Sequence, residues 1–228
     1  PIVDDADDIY EINSEYHIGS DKEMPPLQQI STDILDLEYK EIKPKVSIPN
    51  KERNIKEKYV CIAIQSTAQC KYWNWENGWQ EIVDYLNEKG YKVVCIDRDK
   101  QFGIDGCSNE IPERIIDKTG DISLKERMVD LKYADFFIGL GSGLSWLAWA
   151  VDTPTILISS MSKPFTEFQS NVIRLYNDNE KSGYWNNFLH TWDCWDWNWN
   201  PIKECKTLED WHDFETITPQ QVKTAVDE

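Results

Sequence analysis

The chain has 228 residues, enough for one large domain or one domain with an appended segment. Its 41 Asp and Glu outnumber 24 Lys and Arg, for a formal net charge of −17, which argues against nucleic acid and anionic membranes, since both need a basic face. With 40% hydrophobic and 12% aromatic residues, a packed core is expected rather than global disorder.

No apolar run is long enough to span a bilayer, and no signal-peptide pattern is visible, so membrane insertion is not expected. The chain opens at Pro1, without an initiator methionine, on an acidic stretch (Asp4, Asp5, Asp7, Asp8) that reads as a solvated charge run. It is therefore expected to be a piece of a longer protein. The six cysteines (Cys61, Cys70, Cys95, Cys107, Cys194, Cys205) are scattered, without a C-x-x-C pair. They read as reduced, mostly buried thiols of a cytoplasmic protein.

Residues 1–55 are polar, charged and dotted with proline, and read as a connector. Within them Leu27 to Leu37 has apolar residues near helical spacing. From Lys58 the pattern sharpens. "YVCIAIQ" is a β-branched apolar run, as expected of a buried parallel strand. After the loop "STAQCKYWNWENG", "WQEIVDYLNEKG" predicts a helix closed by Gly90. "YKVVCIDRD" predicts a second strand, followed by a glycine-bearing loop, and "ERIIDKTGD" a short third strand. Ser123 and Glu126 form a capping box at the start of "SLKERMVDLKYA". "ADFFIGL", "GSGLSWLAWAVD" and "TPTILISS" predict strand, turn with helix, and strand. This alternation specifies an α/β fold built on a Rossmann-like parallel sheet, with a Trp-rich C-terminal extension.

In such a sheet ligands bind beyond the carboxyl ends of the strands, where two loops stand out. In "LGSGLSWLAWA", Gly139, Gly141 and Gly143 surround Ser142 at a strand-to-helix turn. Small residues let the backbone approach a phosphate, and free amides with the helix dipole favour its charge. The hydroxyls of Ser142 and Ser145 would add hydrogen bonds. The bland reading is a tight turn needing glycine for positive φ. In "QSTAQCKYWN", Ser66 and Thr67 end the first strand, and Lys71 is a point charge placed to neutralise a diphosphate, or else an ordinary surface lysine. Trp73, Trp75 and Trp79 read as packing more than stacking. Thr119, Gly120 and Asp121 precede the capping-box helix, where they contact a ribose or base, or form a common loop. No Walker-type phosphate loop and no Gly-x-Ser-x-Gly elbow is present, and His17, His190 and His212 are too dispersed in sequence to suggest a metal site or triad.

The stretch "IIDKTGDISLKERMVDLKYADFFIGLGSGLSWLAWAVDTPTILIS" resembles the donor-binding half of the ADP-heptose heptosyltransferases, glycosyltransferase family 9, a two-domain (GT-B) family. That family's Asp-Thr-Gly-Leu turn and following His-Leu-Ala read here Gly141-Ser142-Gly143-Leu144 and Trp146-Leu147-Ala148, so the aspartate and histidine are absent. "YVCIAIQSTAQCKYWN", "PFTEF" and "DWNWNP…ITPQQV" are more similar to the bacterial autotransporter heptosyltransferases, which modify protein serines. The resemblance implies a nucleotide-sugar donor, ADP-heptose or a relative, held by Ser66, Thr67, Lys71, Thr119 to Asp121 and Gly141 to Ser145. It implies Lys71 as the leaving-group stabiliser, inverting transfer to a protein or glycan acceptor, a base in the half not represented, and a homo-oligomer. Glu167 falls beyond the last predicted strand and would hydrogen-bond heptose or ribose hydroxyls, or be a helix-end carboxylate. A catalytically silent nucleotide-sugar module, or another nucleotide sugar on the same fold, are the alternatives.

The resemblance also places the tryptophan cluster between His190 and Cys205. The autotransporter enzymes carry a cysteine-bound iron finger there, with a Cys-x-x-Cys before a Trp-Asn. Here the positions before Trp185-Asn186 are Lys181 and Tyr184, and the family's Trp-Cys-Pro reads Trp199-Asn200-Pro201. Only Cys205 matches, as a weak candidate, and Cys194 has no counterpart. A four-ligand site is not expected, nor any other cofactor. The domain expectation is a connector over 1–55, a donor-binding domain over 56–175, and an aromatic clasp over 176–228 packed on that core.

Overall fold

A computed structural model of the protein describes residues 24–104, 107–178, 182–186 and 217–228. The acidic start, His17, His190, His212, Cys194, Cys205 and the tryptophan cluster lie outside the described residues.

Six strands form one parallel sheet: β1 (Tyr59–Ala63), β2 (Lys92–Cys95), β5 (Ile116–Asp117), β6 (Phe136–Leu140), β7 (Thr155–Ile158) and β8 (Val172–Leu175). Their order is β5-β2-β1-β6-β7-β8. The chain runs outward from β1 through β2 to β5, then returns to the other side of β1 and runs outward again through β7 to β8. Strands β1, β2, β6 and β7 read as continuous apolar runs because both faces are covered.

On one face lie α2 (Gly78–Glu88) and α5 (Pro219–Asp227), whose Ile82, Val83, Leu86, Val222 and Ala225 pack against Val60, Ile62, Ile138 and Ile156. On the other lie α3 (Leu124–Lys132) and α4 (Gly143–Ala150), with Met128, Leu131 and Ala148 against Tyr59, Cys61, Val94 and Phe137. The alternate residues of each strand feed alternate faces, as a pleat requires. The caps follow local chemistry. The Ser123 hydroxyl accepts from the Glu126 amide at the head of α3, and Gly90 sits at φ +81° just past α2.

Four features differ from the sequence-based expectation. The glycine-bearing loop after β2 contains a hairpin, β3 (Gln101–Ile104) with β4 (Cys107–Glu110). Strand β8 follows β7 and pairs with it, so Glu167 lies before the last strand, not beyond it. The C-terminal segment ends in a capped helix, α5, packed on α2 and the sheet. The helix α1 (Leu27–Ile34) stops short of Leu37, where Asp36 takes φ 53°. After it, residues 35–57 carry no regular element and run along the α3/α4 face, where Ile48 and Ile55 pack on the core, tied down by bonds such as Gln169 N–H to Glu41 at 2.6 Å.

Trp73 and Trp79 are buried and meet edge to face at 5.2 Å. The Trp73 indole donates to the Ile217 carbonyl at 2.7 Å. Both therefore serve the core.

Candidate functional site

The strand order reverses between β1 and β6, and at such a point the outgoing connections diverge and leave a crevice above the carboxyl ends. A cleft of about 890 Å³ lies there. Ser66, Thr67 and Lys71 line it from the loop after β1, Asp97 to Asp99 from the end of β2, and Ser142, Gly143 and Leu144 from the turn after β6.

The turn after β6 is built for rigidity. Ser142 is extended, at φ −134° and ψ 175°, and α4 starts at the next residue. The first amides of a helix, here Gly143 and Leu144, have no partner within it and point outward along the dipole. Ser145 is fully buried; its hydroxyl accepts from the Ser142 amide at 3.3 Å and donates to the Ser142 carbonyl at 2.7 Å. None of Gly139, Gly141 and Gly143 has positive φ. Gly141 is instead a close approach: a Cβ there would lie 2.7 Å from Glu167 Oε1. Gly143 is exposed and lines the cleft, and a Cβ added to it would meet nothing within 4 Å.

The loop after β1 is held at its root by Asp97 and, just past Lys71, by the buried Tyr72 and Trp73. The Asp97 carboxylate accepts from the amides of Ile64 at 2.7 Å and Gln65 at 3.2 Å. It thereby crosslinks the ends of β2 and β1. Burial outweighs these bonds and pushes the Asp97 carboxyl up to about 6. Lys71 closes a short 3-10 turn, Gln69–Lys71, and is half-buried.

The Thr119–Asp121 loop stands beside the cleft and does not line it. The Thr119 amide and hydroxyl both donate to Asp117, at 2.9 and 2.7 Å. Lys100 first, then Thr119, hold the Asp117 carboxyl down to about 2. Arg127, itself buried, bolts this loop to β2 by donating to the carbonyls of Lys118 at 2.7 Å, Asp97 at 3.1 Å and Gly120 at 3.3 Å.

Of the residues singled out in the sequence, Ser66, Thr67, Lys71, Ser142, Gly143 and Leu144 converge on one cleft. Gly141 and Ser145 lie beneath its floor, and Thr119, Gly120 and Asp121 at its flank. Glu167 is 6% exposed and does not line the cleft; it is in an ion pair with Arg174 and bonded by the Ser162 hydroxyl at 2.9 Å. Sequence reasoning misses Asp97, Arg98, Phe102 and Leu124, which also line the cleft, as does Trp146 at the position of the family's histidine. Asp97 and Arg98 end the predicted strand "YKVVCIDRD", so their position past a strand's carboxyl end is the available signal. Phe102 needs the hairpin.

The described thiols suit a core. Cys61 and Cys95 are buried on adjacent strands but face opposite sides of the sheet. Burial, chiefly, raises both thiol pKa values far above the ordinary range. Among the described residues no three His, Cys, Asp or Glu side chains group as a metal site would require.

Comparisons with known proteins agree with this architecture. The family model for glycosyltransferase family 9 (heptosyltransferase) matches residues 25–181. The autotransporter heptosyltransferase Aah of Escherichia coli is 46% identical over 169 residues, 74% of this chain and 43% of that protein. The crystal structure of TibC, a dodecameric iron-containing heptosyltransferase of enterotoxigenic E. coli in complex with ADP-D-beta-D-heptose, superposes with a TM-score of 0.77 at 39% identity, over 89% of this chain and 52% of that one. BimC of Burkholderia thailandensis, an inactive autotransporter heptosyltransferase, is 30% identical over 85% of this chain and 45% of its own. The chain thus spans about half the length of the relatives it matches. By its sequence over residues 25–181 and by its fold, the chain belongs to glycosyltransferase family 9, the heptosyltransferases.

Proposed function

We propose that this chain is the donor-binding part of a glycosyltransferase that uses ADP-heptose or a related nucleotide-diphosphate sugar. The observation that carries this reading is the convergence of Lys71 and the opening amides of α4 on one cleft at the sheet's reversal point. A cation and a helix N-terminus facing the same space suit a diphosphate. The similarity to an ADP-heptose-bound relative supports the same assignment.

In the reaction so proposed, the bond from the sugar C1 to the β-phosphate oxygen breaks and the departing ADP keeps the bonding pair. An acceptor hydroxyl oxygen bonds C1 from the opposite face, inverting it, and its proton passes to a base on the acceptor side. Lys71 and the amides of Gly143 and Leu144 stabilise the charge that grows on the leaving diphosphate, without having to reorganise as it forms. Residues 56–175 form the donor unit in this reading, with 1–55 leading into it and 176–228 following it. The acceptor is a protein serine or a glycan hydroxyl, and the working assembly is a homo-oligomer. TibC contains iron; Cys61 and Cys95 of this chain face opposite sides of the sheet and cannot share a metal, and Cys205, the one match to the family's iron finger, lies outside the described residues.

A second reading, a nucleotide-sugar module without turnover, is favoured by the similarity to the inactive relative. A thermal-shift panel with ADP, UDP, GDP, CDP and ADP-heptose, on the wild type and Lys71→Ala, tests the donor reading. Stabilisation by the adenine nucleotides alone, weakened in the variant, is expected. Stabilisation by UDP or GDP instead would reassign the nucleotide. Donor hydrolysis or transfer, assayed with the full-length protein, separates enzyme from silent module.

A further inference from the structure

The donor reading leaves one buried charged cluster without a role. Glu167 and Arg174 form an ion pair whose side chains are 5% and 10% exposed. Ser162 donates to Glu167 Oε1 at 2.9 Å, and Arg174 Nη2 donates to the Ser162 carbonyl and hydroxyl, each at 2.9 Å. The pair is anchored to β8 through Arg174 and reaches under the turn after β6. There the Glu167 carboxylate fills the space that a side chain at residue 141 would take. An acid beneath an anion-binding turn is electrostatically wrong unless neutralised, and in this dry setting its field is little screened.

We propose that Glu167 and Arg174 are positioning residues for the donor diphosphate: the carboxylate props the Gly141–Ser142 turn, and Arg174 cancels its charge so that the amides of Gly143 and Leu144 still attract an anion. This inference rests on the donor reading. Glu167 then touches no sugar hydroxyl and acts only through the turn. The pair sets the electrostatic potential of the cleft floor, and the two partners have opposite effects on it.

That opposition is the test. ADP and inorganic pyrophosphate affinities are measured by calorimetry for the wild type, Glu167→Gln, Arg174→Met, Arg174→Lys and the double variant Glu167→Gln/Arg174→Met, with melting temperatures alongside. Glu167→Gln keeps the shape and leaves the arginine unopposed, so binding should tighten about threefold; Arg174→Met leaves the acid unopposed, so binding should weaken about tenfold. Arg174→Lys should restore most of the affinity. Should Arg174→Met fail to fold, the double variant reads the same charge removal, and is expected to bind about tenfold more weakly than Glu167→Gln. A purely structural pair would lower both affinities together, in step with melting temperature. That result, or equal affinities of Glu167→Gln and the double variant, overturns the proposal alone. A wild type that binds neither ADP nor pyrophosphate overturns the donor reading, and this inference with it.

Discussion

The two loops that face each other across the cleft are held in different ways. The turn after β6 is buttressed from beneath: Gly141 and Ser145 are buried, the Ser145 hydroxyl is committed to Ser142, and a buried ion pair stands behind. The loop after β1 is pinned at two points, at its root, where Asp97 takes the amides of Ile64 and Gln65, and just past Lys71, where Tyr72 and Trp73 are buried; between them Thr67 is exposed and Lys71 half-buried. The difference suits the two kinds of group they carry. Backbone amides cannot adjust after a ligand arrives, so their turn must be set in advance. A lysine on a flexible stem can find its partner, so its loop needs only fixed anchors on either side of it.

The strongest challenge to this contrast is Gly141→Ala. The added methyl would lie 2.7 Å from an oxygen that Arg174 and Ser162 hold in place, so the turn or the ion pair must move. A stability loss of about 3 kcal/mol in urea unfolding is expected, with nucleotide binding weakened as well. A variant of near wild-type stability would mean that the buttress is soft and the contrast mistaken.

The root of the opposite loop should show itself through pH. Burial raises the Asp97 carboxyl from 3.8 to about 6, so the folded state binds this proton more tightly than the unfolded chain does. The resulting stability is fully present below about pH 4 and is lost as pH rises through about 6, by roughly 2–3 kcal/mol. Asp117, held near 2, completes its opposite effect below that window. Unfolding free energies of the wild type and Asp97→Asn, compared from pH 4 to 7, isolate the contribution. A difference that stays flat with pH would remove Asp97 as a desolvated anchor.

Lys71→Ala sharpens the contrast from the ligand's side. A half-buried side chain at the end of a 3-10 turn contributes little to the fold, and unfolding free energy should change by less than about 0.5 kcal/mol. Affinity for ADP should fall about tenfold, or about 1.4 kcal/mol. Equal losses in stability and affinity would show that this loop is as structural as the one opposite.

The sheet and the ligand-facing turns are legible in the sequence because their signals are local. Strands β1, β2, β6 and β7 are buried on both faces and so are written as apolar runs, and ligand-facing loops of a parallel sheet follow strand ends. Strand β8 is not legible: "VIRL" is short, half-buried and carries Arg174. The β3–β4 hairpin is easily missed although its connection reads Asp105-Gly106, a favoured hairpin dipeptide, because its flanks lack apolar alternation. In the site, Lys71 and Ser142 to Leu144 can be placed by chain order alone. The setting of Glu167 cannot, since it depends on Arg174 from a strand the pattern does not announce and on a glycine 26 positions earlier.

The smallest expected effect supplies the reference for the others. Gly90 lies between α2 and β2, at the amino end of the strands and so away from the cleft, with φ +81°, and a Cβ added to it would meet only Lys58 Cε, at 3.7 Å. Space is therefore open and the penalty of Gly90→Ala is conformational: an L side chain is disfavoured in the left-handed region by about 1 kcal/mol. The variant should lose that much stability in urea unfolding and bind ADP as the wild type does. Against this reference, Gly141→Ala, which replaces a glycine chosen for close approach and not for its φ, should show the larger stability loss together with the loss of binding. If Gly90→Ala weakened ADP binding to a similar degree, loss of affinity would be a general consequence of destabilisation, and the turn after β6 would have no special claim on the diphosphate.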